Sequence, residues 1–322
     1  MQNGLKIETR NLTKRFGDFT AVDNLNLTID PGESYGFLGP NGAGKTTSLL
    51  MILGIHRPTS GHVLINDEEV HSSAFAIKRR IGVVAEYQSF YDEMSAWEYL
   101  RFFAQLFHVE KSDHRCQELL ELLGLWEWRD VLVGGYSTGM KKKLGFARAL
   151  VHSPDLLILD EPVSGLDPFG IIQVREILNH EQQKGVTLLI SSHILSEVEK
   201  TANRVGIIAK GKLILQDDMD KVRNKFTVQE KINLLFHAIS DQDVDELSSL
   251  PFIVKLERDG CRVDVVTKGD ADYREDIGRF IMERRLIVLE MKKSEKSLEE
   301  AFVTITEQNL TDLAGDTKEF IR

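Results

Sequence analysis

At 322 residues, 42% hydrophobic and 28% charged, the chain has the composition of a soluble globular protein with room for one large domain and a small one. Its formal net charge of −10 argues against a broad nucleic-acid surface, and no run of 18 consecutive apolar residues offers a membrane span. The first ten residues hold no apolar signal core, and Cys116 and Cys261 stand alone without metal-type spacing, so a reducing, cytoplasmic location is expected.

Residues 6–35 are predicted strands: Leu25, Leu27 and Ile29 alternate with polar residues, and Asp30-Pro31-Gly32 forms a turn. Ser34–Leu38 reads as a short buried strand leading into Gly39–Thr47, which fits G-x-x-x-x-G-K-[ST]. Thr46–Leu53 then reads as a helix stopped by Gly54. This strand, loop and helix form a phosphate-binding unit. Its glycines let the backbone wrap an anion, its amides and the helix N-terminus hold phosphate oxygens, Lys45 adds a point charge and Thr46 offers a hydroxyl to Mg²⁺.

Pro58–Gly61 turns the chain into a strand at His62–Ile65. Trp97, Leu100, Phe103, Ala104 and Phe107 recur at helical spacing, as do Leu119, Leu122 and Leu123, which marks a helical insert over about residues 88–152. Trp126 and Trp128, near the end of this stretch, read as packing residues. After Tyr136, a helix carries Met140, Leu144, Ala147 and Val151 on one apolar stripe, capped by Ser137 or Thr138. Leu156–Leu159 and Val186–Ile190 are continuous apolar runs, the pattern of parallel strands covered on both faces. A strand pair near Val205–Ile208 and Leu213–Leu215 closes the first domain, residues 1–220.

Residues 221–322 form the second predicted domain. Strands at Ile232–Ile239, Phe252–Leu256, Cys261–Val266 and Leu286–Met291 and helices at Val244–Leu250, Tyr273–Arg285 and Leu298–Glu307 give β-α-β-β-α-β plus one helix, a ferredoxin-like order.

Asp160 and Glu161 follow a buried strand and would lie beside the phosphate loop in a parallel sheet. Asp160 suits the Mg²⁺ shell and Glu161 suits polarisation of the attacking water. His193 ends the next buried strand, within reach of the γ-phosphate. The helix after Ser137 is a second anion-binding terminus, with Gly139 permitting close backbone approach. One nucleotide does not need both termini from one subunit, so a pair of subunits is implied, each closing the other's site. Phe16 either stacks an adenine ring or packs in the core. The run Lys141–Lys143 reads as a solvated helix face in preference to a lipid contact.

Together these residues resemble the ATP-binding subunit of ABC transporters over about residues 5–220. Gly39–Thr47 matches the family's Walker A loop and Leu156–Glu161 its Walker B strand with the catalytic glutamate. Ser137–Met140 matches the signature, Ser164–Asp167 the D-loop, His193 the switch histidine and Phe16 the adenine-stacking aromatic. The resemblance implies an α/β P-loop NTPase, with a RecA-like parallel core, an antiparallel β subdomain and a helical subdomain, followed here by the small α+β ferredoxin-like domain. It implies ATP and Mg²⁺ as ligands. Phe16, Gly39, Pro40, Asn41, Gly42, Ala43, Gly44, Lys45, Thr46, Thr47, Ser137, Thr138, Gly139 and Asp167 would contact nucleotide; Thr46, Glu86 and Asp160 would serve the metal; Glu161, His193 and Lys45 would act in catalysis.

Two departures qualify the match. The usual Leu-Ser-Gly-Gly-Gln is Tyr-Ser-Thr-Gly-Met here, which, with the lysines after it, looks like the export branch served by a separate six-helix permease. The family's Q-loop glutamine is replaced by Glu86, with Gln88 as the alternative. Ser297–Phe302 resembles the closing helix of that branch's accessory region. The implied function is ATP hydrolysis by a homodimer held at the inner face of the cell membrane through the permease, with no nucleic acid involved. A soluble ATPase acting on ribosomes or DNA is disfavoured by the acidic charge and the single ATPase unit, and a non-hydrolysing nucleotide sensor by Asp160, Glu161 and His193.

Overall fold

The computed structural model describes residues 4–70, 74–226, 230–268 and 271–295. The chain divides into two units, Met1–Met219 and Asp220–Arg322.

In the first unit, β1 (Ile7–Phe16) and β2 (Phe19–Ile29) pair antiparallel around a tight hairpin that sets Phe16 opposite Phe19. Alternate residues of β2, Leu25, Leu27 and Ile29, are buried, as their spacing requires. Next come β3 (Ser34–Leu38), α1 (Lys45–Ile52), β4 (Ser60–Ile65), the short β5 (Glu68–Glu69), α2 (Ala74–Lys78) and β6 (Ile81–Val84). A helical stretch follows: α3 (Ala96–Leu106), α4 (Ser112–Leu122) and α5 (Thr138–Leu150). The core returns with β7 (Leu156–Asp160), α6 (Pro168–Gln183), β8 (Thr187–Ser192), α7 (Leu195–Glu199), β9 (Arg204–Ala209) and β10 (Lys212–Asp218).

One sheet has the order β2-β1-β4-β5 and is antiparallel. The other runs β10-β9-β3-β8-β7-β6, parallel except for β10 at its edge. Its continuous apolar strands serve two cores. Leu157, Leu159, Leu188 and Ile190 pack with Tyr99, Leu100, Leu119, Leu120, Leu144 and Ala147 of the helical stretch. Leu156, Ile158 and Leu189 point the other way, toward Leu25, Leu27, Leu49 and Met51. Burial on both faces is why these runs show no alternation. Trp97 and Trp126 meet edge to face, with ring centroids 5.9 Å apart, whereas Trp128 is half exposed and so departs from the packing role read for it.

The sequence reading resumes the core at Leu156, but β6 precedes it as the edge strand, Ile81 pairing with Leu156. Four residues interrupted by Gly82 are too short to show a period. Helix α6 also goes unread, although Asp167 caps it and Pro168 occupies its first turn, a regular start signal.

The chain continues with α8 (Met219–Phe226), β11 (Glu230–Phe236), α9 (Asp241–Ser248), β12 (Ile253–Asp259), β13 (Arg262–Thr267), α10 (Arg274–Glu283) and β14 (Val288–Glu295). The last four strands form an antiparallel sheet ordered β12-β13-β11-β14. Ile232, Leu234, Phe236, Leu247, Val263, Val265 and Ile277 make its core. This is the ferredoxin-like order expected from the element pattern. The helix read at Leu298–Glu307 and the segment Ser297–Phe302 lie outside the described residues.

Candidate functional site

Strand order assembles the site. β8 lies between β3 and β7, and the register pairs Leu38 with Ser192 and Ser191 with Asp160. The loop after β3 therefore meets the acids after β7 at the carboxyl edge of the parallel strands.

Gly39 N–H donates to Ser192 O at 3.2 Å, fastening the loop to β8. The Gly211 N–H donates to Ala43 O, and Asp23 N–H to Gly211 O, each at 2.9 Å, so the β9–β10 turn and β2 back the loop. Gly44 has φ +106°, and a Cβ there would lie 2.5 Å from Ala21 O. Only glycine accommodates both that backbone and that approach.

Lys45 is buried at 6% exposure, with Nζ donating to Gly39 O at 2.7 Å and to Pro40 O at 3.3 Å. The same ammonium is 3.7 Å from Glu161 Oε1. Its partners are the loop's own carbonyls, so it is held where phosphate oxygens can replace them. Thr46 Oγ1 donates to Asp160 Oδ2 at 2.9 Å, and Ser191 Oγ donates to Asp160 Oδ1. Both oxygens of this buried carboxylate are thereby fixed, as a desolvated charge requires.

Glu161 adopts φ +47°, a left-handed conformation that costs a non-glycine residue about 1–3 kcal/mol. Ser191 holds it there: Glu161 N–H donates to Ser191 O at 3.2 Å and approaches Ser191 Oγ at 3.3 Å. His193 Nδ1 lies 3.0 Å from Glu161 Oε1, the oxygen that also faces Lys45. A buried carboxylate thus stands between a cationic side chain and an imidazole open to solvent.

Over these groups opens a cleft of about 440 Å³. Its lining includes Asn41, Gly42, Gly44, Lys45, Thr46 and Thr47 of the loop, Phe19 and Ala21 of β2, Glu86 and Tyr87, and Glu161. The volume falls in the range of small-molecule sites.

The structure thus brings together the phosphate loop, Glu86, Asp160, Glu161 and His193. Phe16 is not among the lining residues; its ring meets His56 at 6.0 Å and Lys14 Nζ at 5.1 Å, while its cross-strand partner Phe19 faces the cleft. Of the two candidates on the loop after β6, Glu86 lines the cleft, whereas Gln88 Oε1 accepts from Arg148 Nη2 at 2.7 Å on α5.

Ser137, Thr138, Gly139 and Asp167 form a second group outside this lining. Ser137 is the cap of α5, its Oγ accepting from Met140 N–H at 3.2 Å. Asp167 Oδ1 accepts from Gly170 N–H at 2.7 Å and caps α6. These two termini are neighbours, since a Cβ on Gly165 would touch Thr138 Cγ2 at 3.4 Å. Ser137 and Thr138 face solvent.

Sequence reasoning missed Ser191, Phe19, Tyr87 and Lys142. Ser191 stands in the run before His193, but its pairing with Asp160 follows only from strand order. The reading of Lys141–Lys143 as a solvated face is corrected at its centre: Lys142 is 6% exposed. Lys141 instead reaches Asp92 at 2.9 Å.

Comparison with known proteins follows the same outline. Residues 22–164 match the family model described as ABC transporter. The chain is 39% identical over 306 residues to the bacitracin transport ATP-binding protein BcrA of Bacillus licheniformis, covering 93% of this chain and 96% of that one. It is 38% identical over 212 residues to the Nod factor export ATP-binding protein I of Cupriavidus metallidurans, covering 65% of this chain and 70% of that one. A solved structure of an ATP-binding subunit of an ABC transporter superimposes with a TM-score of 0.64 at 28% identity, covering 68% of this chain and 92% of that one.

Proposed function

This chain belongs to the ATP-binding proteins of ABC transporters, and from that premise we propose that it powers an exporter by closing as a pair of subunits around two MgATP and reopening after hydrolysis. The observation that carries the reading is the convergence of Lys45, Thr46–Asp160 and Glu161–His193 at one cleft.

The loop amides and Lys45 hold the β- and γ-phosphates. Thr46 and Asp160 would hold Mg²⁺, and Glu86, which lines the same cleft, would add a carboxylate to that site. The donor set fits this ion: Thr46 gives its proton to Asp160 and keeps lone pairs for the metal. Among the described residues no three His, Cys, Asp or Glu side chains form a cage, which suits a cation that completes its shell with phosphate and water. When bound, the ion neutralises charge on the phosphates during transfer. Glu161 orients and deprotonates the attacking water, and His193 fixes the Glu161 carboxylate from the solvent side. Phe16 contacts the adenine from the hairpin end.

Ser137, Thr138, Gly139 and Asp167 act on the partner's nucleotide. The exposure of Ser137, Thr138 and Asp167 outside their own cleft supports that division. Loss of the γ-phosphate removes the charge that both faces bind, and the pair opens. No helix among the described residues is long and apolar enough to cross a membrane. The likeness to transport ATP-binding proteins supports attachment to the inner face of the membrane through a separate permease. The Cupriavidus metallidurans relative is an export protein, which favours outward transport. The nearly full-length likeness to a bacitracin transport protein makes peptide antibiotics the first cargo class to test.

Phosphate release by the purified chain tests the chemistry. Glu161→Gln is expected to retain ATP binding and to lower turnover by about 10²-fold or more. Turnover at the wild-type rate would remove Glu161 from its role.

A further inference from the structure

The three consecutive lysines of α5 do not share an environment. Lys141 pairs with Asp92 at the surface, whereas Lys142 is buried and its Nζ approaches Ala85 O at 3.4 Å. Ala85 immediately precedes Glu86, which lines the cleft beside Glu161. Burial lowers the Lys142 pKa, and Asp160, Glu86 and Glu161 each oppose that shift by favouring the charged ammonium. Lys142 therefore touches the segment that carries Glu86 at the carbonyl just before it.

Charge explains why a lysine stands there. Glu86 and Glu161 line the cleft with Lys45, and Asp160 lies beside it on Thr46, before any triphosphate adds its own negative charge. Asp160 is compensated by two hydroxyl donors, and Glu161 by Lys45 and His193. Glu86 is an additional carboxylate at this edge of the site, and a polyanion bound nearby would repel it. A buried ammonium anchored on the neighbouring carbonyl offsets that charge without entering the cleft.

Resting on the nucleotide-site reading above, we infer that Lys142 is a positioning residue that offsets the Glu86 carboxylate and seats the 85–87 segment, so that Glu86 and Lys142 work as a matched pair in binding the triphosphate. Removal of Lys142 leaves the Glu86 charge unopposed, and removal of the Glu86 charge as well takes away the need for the lysine.

The test is steady-state ATP hydrolysis by the full chain and by Glu86→Gln, Lys142→Gln, Lys142→Arg and the double Gln variant, with kcat and KM for MgATP measured separately. Lys142→Gln is expected to raise KM roughly tenfold. The double variant should return to within about twofold of Glu86→Gln alone, and Lys142→Arg should stay near the wild type. If Lys142→Gln does not fold, recovery of a folded, ATP-binding chain in the double variant upholds the pairing, and continued misfolding overturns it. Multiplying single effects in the double variant, or an unchanged KM in Lys142→Gln, would also overturn it. A wild-type chain that binds no ATP would defeat the nucleotide reading itself, whereas an active wild type with independent variants would defeat only the pairing.

Discussion

Ser191 shows how much the site depends on a residue that carries no chemistry of its own. Its hydroxyl donates to Asp160 Oδ1, and its carbonyl accepts from Glu161 N–H at 3.2 Å. One fully buried serine thus fixes a carboxylate and holds the strained backbone of the next residue. Ser191→Ala leaves Asp160 Oδ1 without that donor in a buried site, so a loss of about 1–3 kcal/mol in urea unfolding is expected, with a lowered kcat. Unchanged kcat and stability would show that Thr46 alone suffices to hold Asp160. The groups proposed to bind and react were legible in the sequence because each falls in a contiguous motif or at a strand end. Ser191 was not, because its partner lies on a different strand. Lys142 was not, because a lysine run looks solvated until one helical face is packed.

At the scale of elements, β6 and α5 explain each other. The sequence pattern found α5 from its apolar stripe but passed over β6, whose apolar run is broken by Gly82. That glycine is the reason the two fit. A Cβ at position 82 would collide with the Ala149 carbonyl oxygen and come 2.6 Å from Leu157 Cδ2. Strand propensity alone would make alanine the better residue by about 0.5–1 kcal/mol. Overpacking against a helix backbone outweighs it, and Gly82→Ala is expected to destabilise the chain by about 1–3 kcal/mol in urea unfolding. A stabilised variant would show that α5 does not seat as closely as the contact implies. β7 and β8 were legible because burial on both faces writes an unbroken apolar run, while β6 was shortened by the very contact that places it.

Across the whole molecule, the two groups of residues proposed to meet nucleotide divide cleanly. The phosphate loop and its acids line the cleft, while the α5 terminus and the Asp167 cap lie outside it and face solvent at Ser137 and Thr138. The sequence pointed to both groups and suggested that one nucleotide needs them from different subunits; in the structure the second group lies outside the lining of the cleft. The ferredoxin-like order of the second unit was legible from its regular alternation of short elements, and the likeness to the Bacillus licheniformis protein spans 93% of the chain. The central claim is that ATP joins two copies of this chain. It is tested most directly by the molar mass in solution of full-length Glu161→Gln, measured by light scattering with saturating MgATP and again with MgADP. A dimer with MgATP that reverts to monomer with MgADP is the expected result; a monomer under both conditions would contradict it.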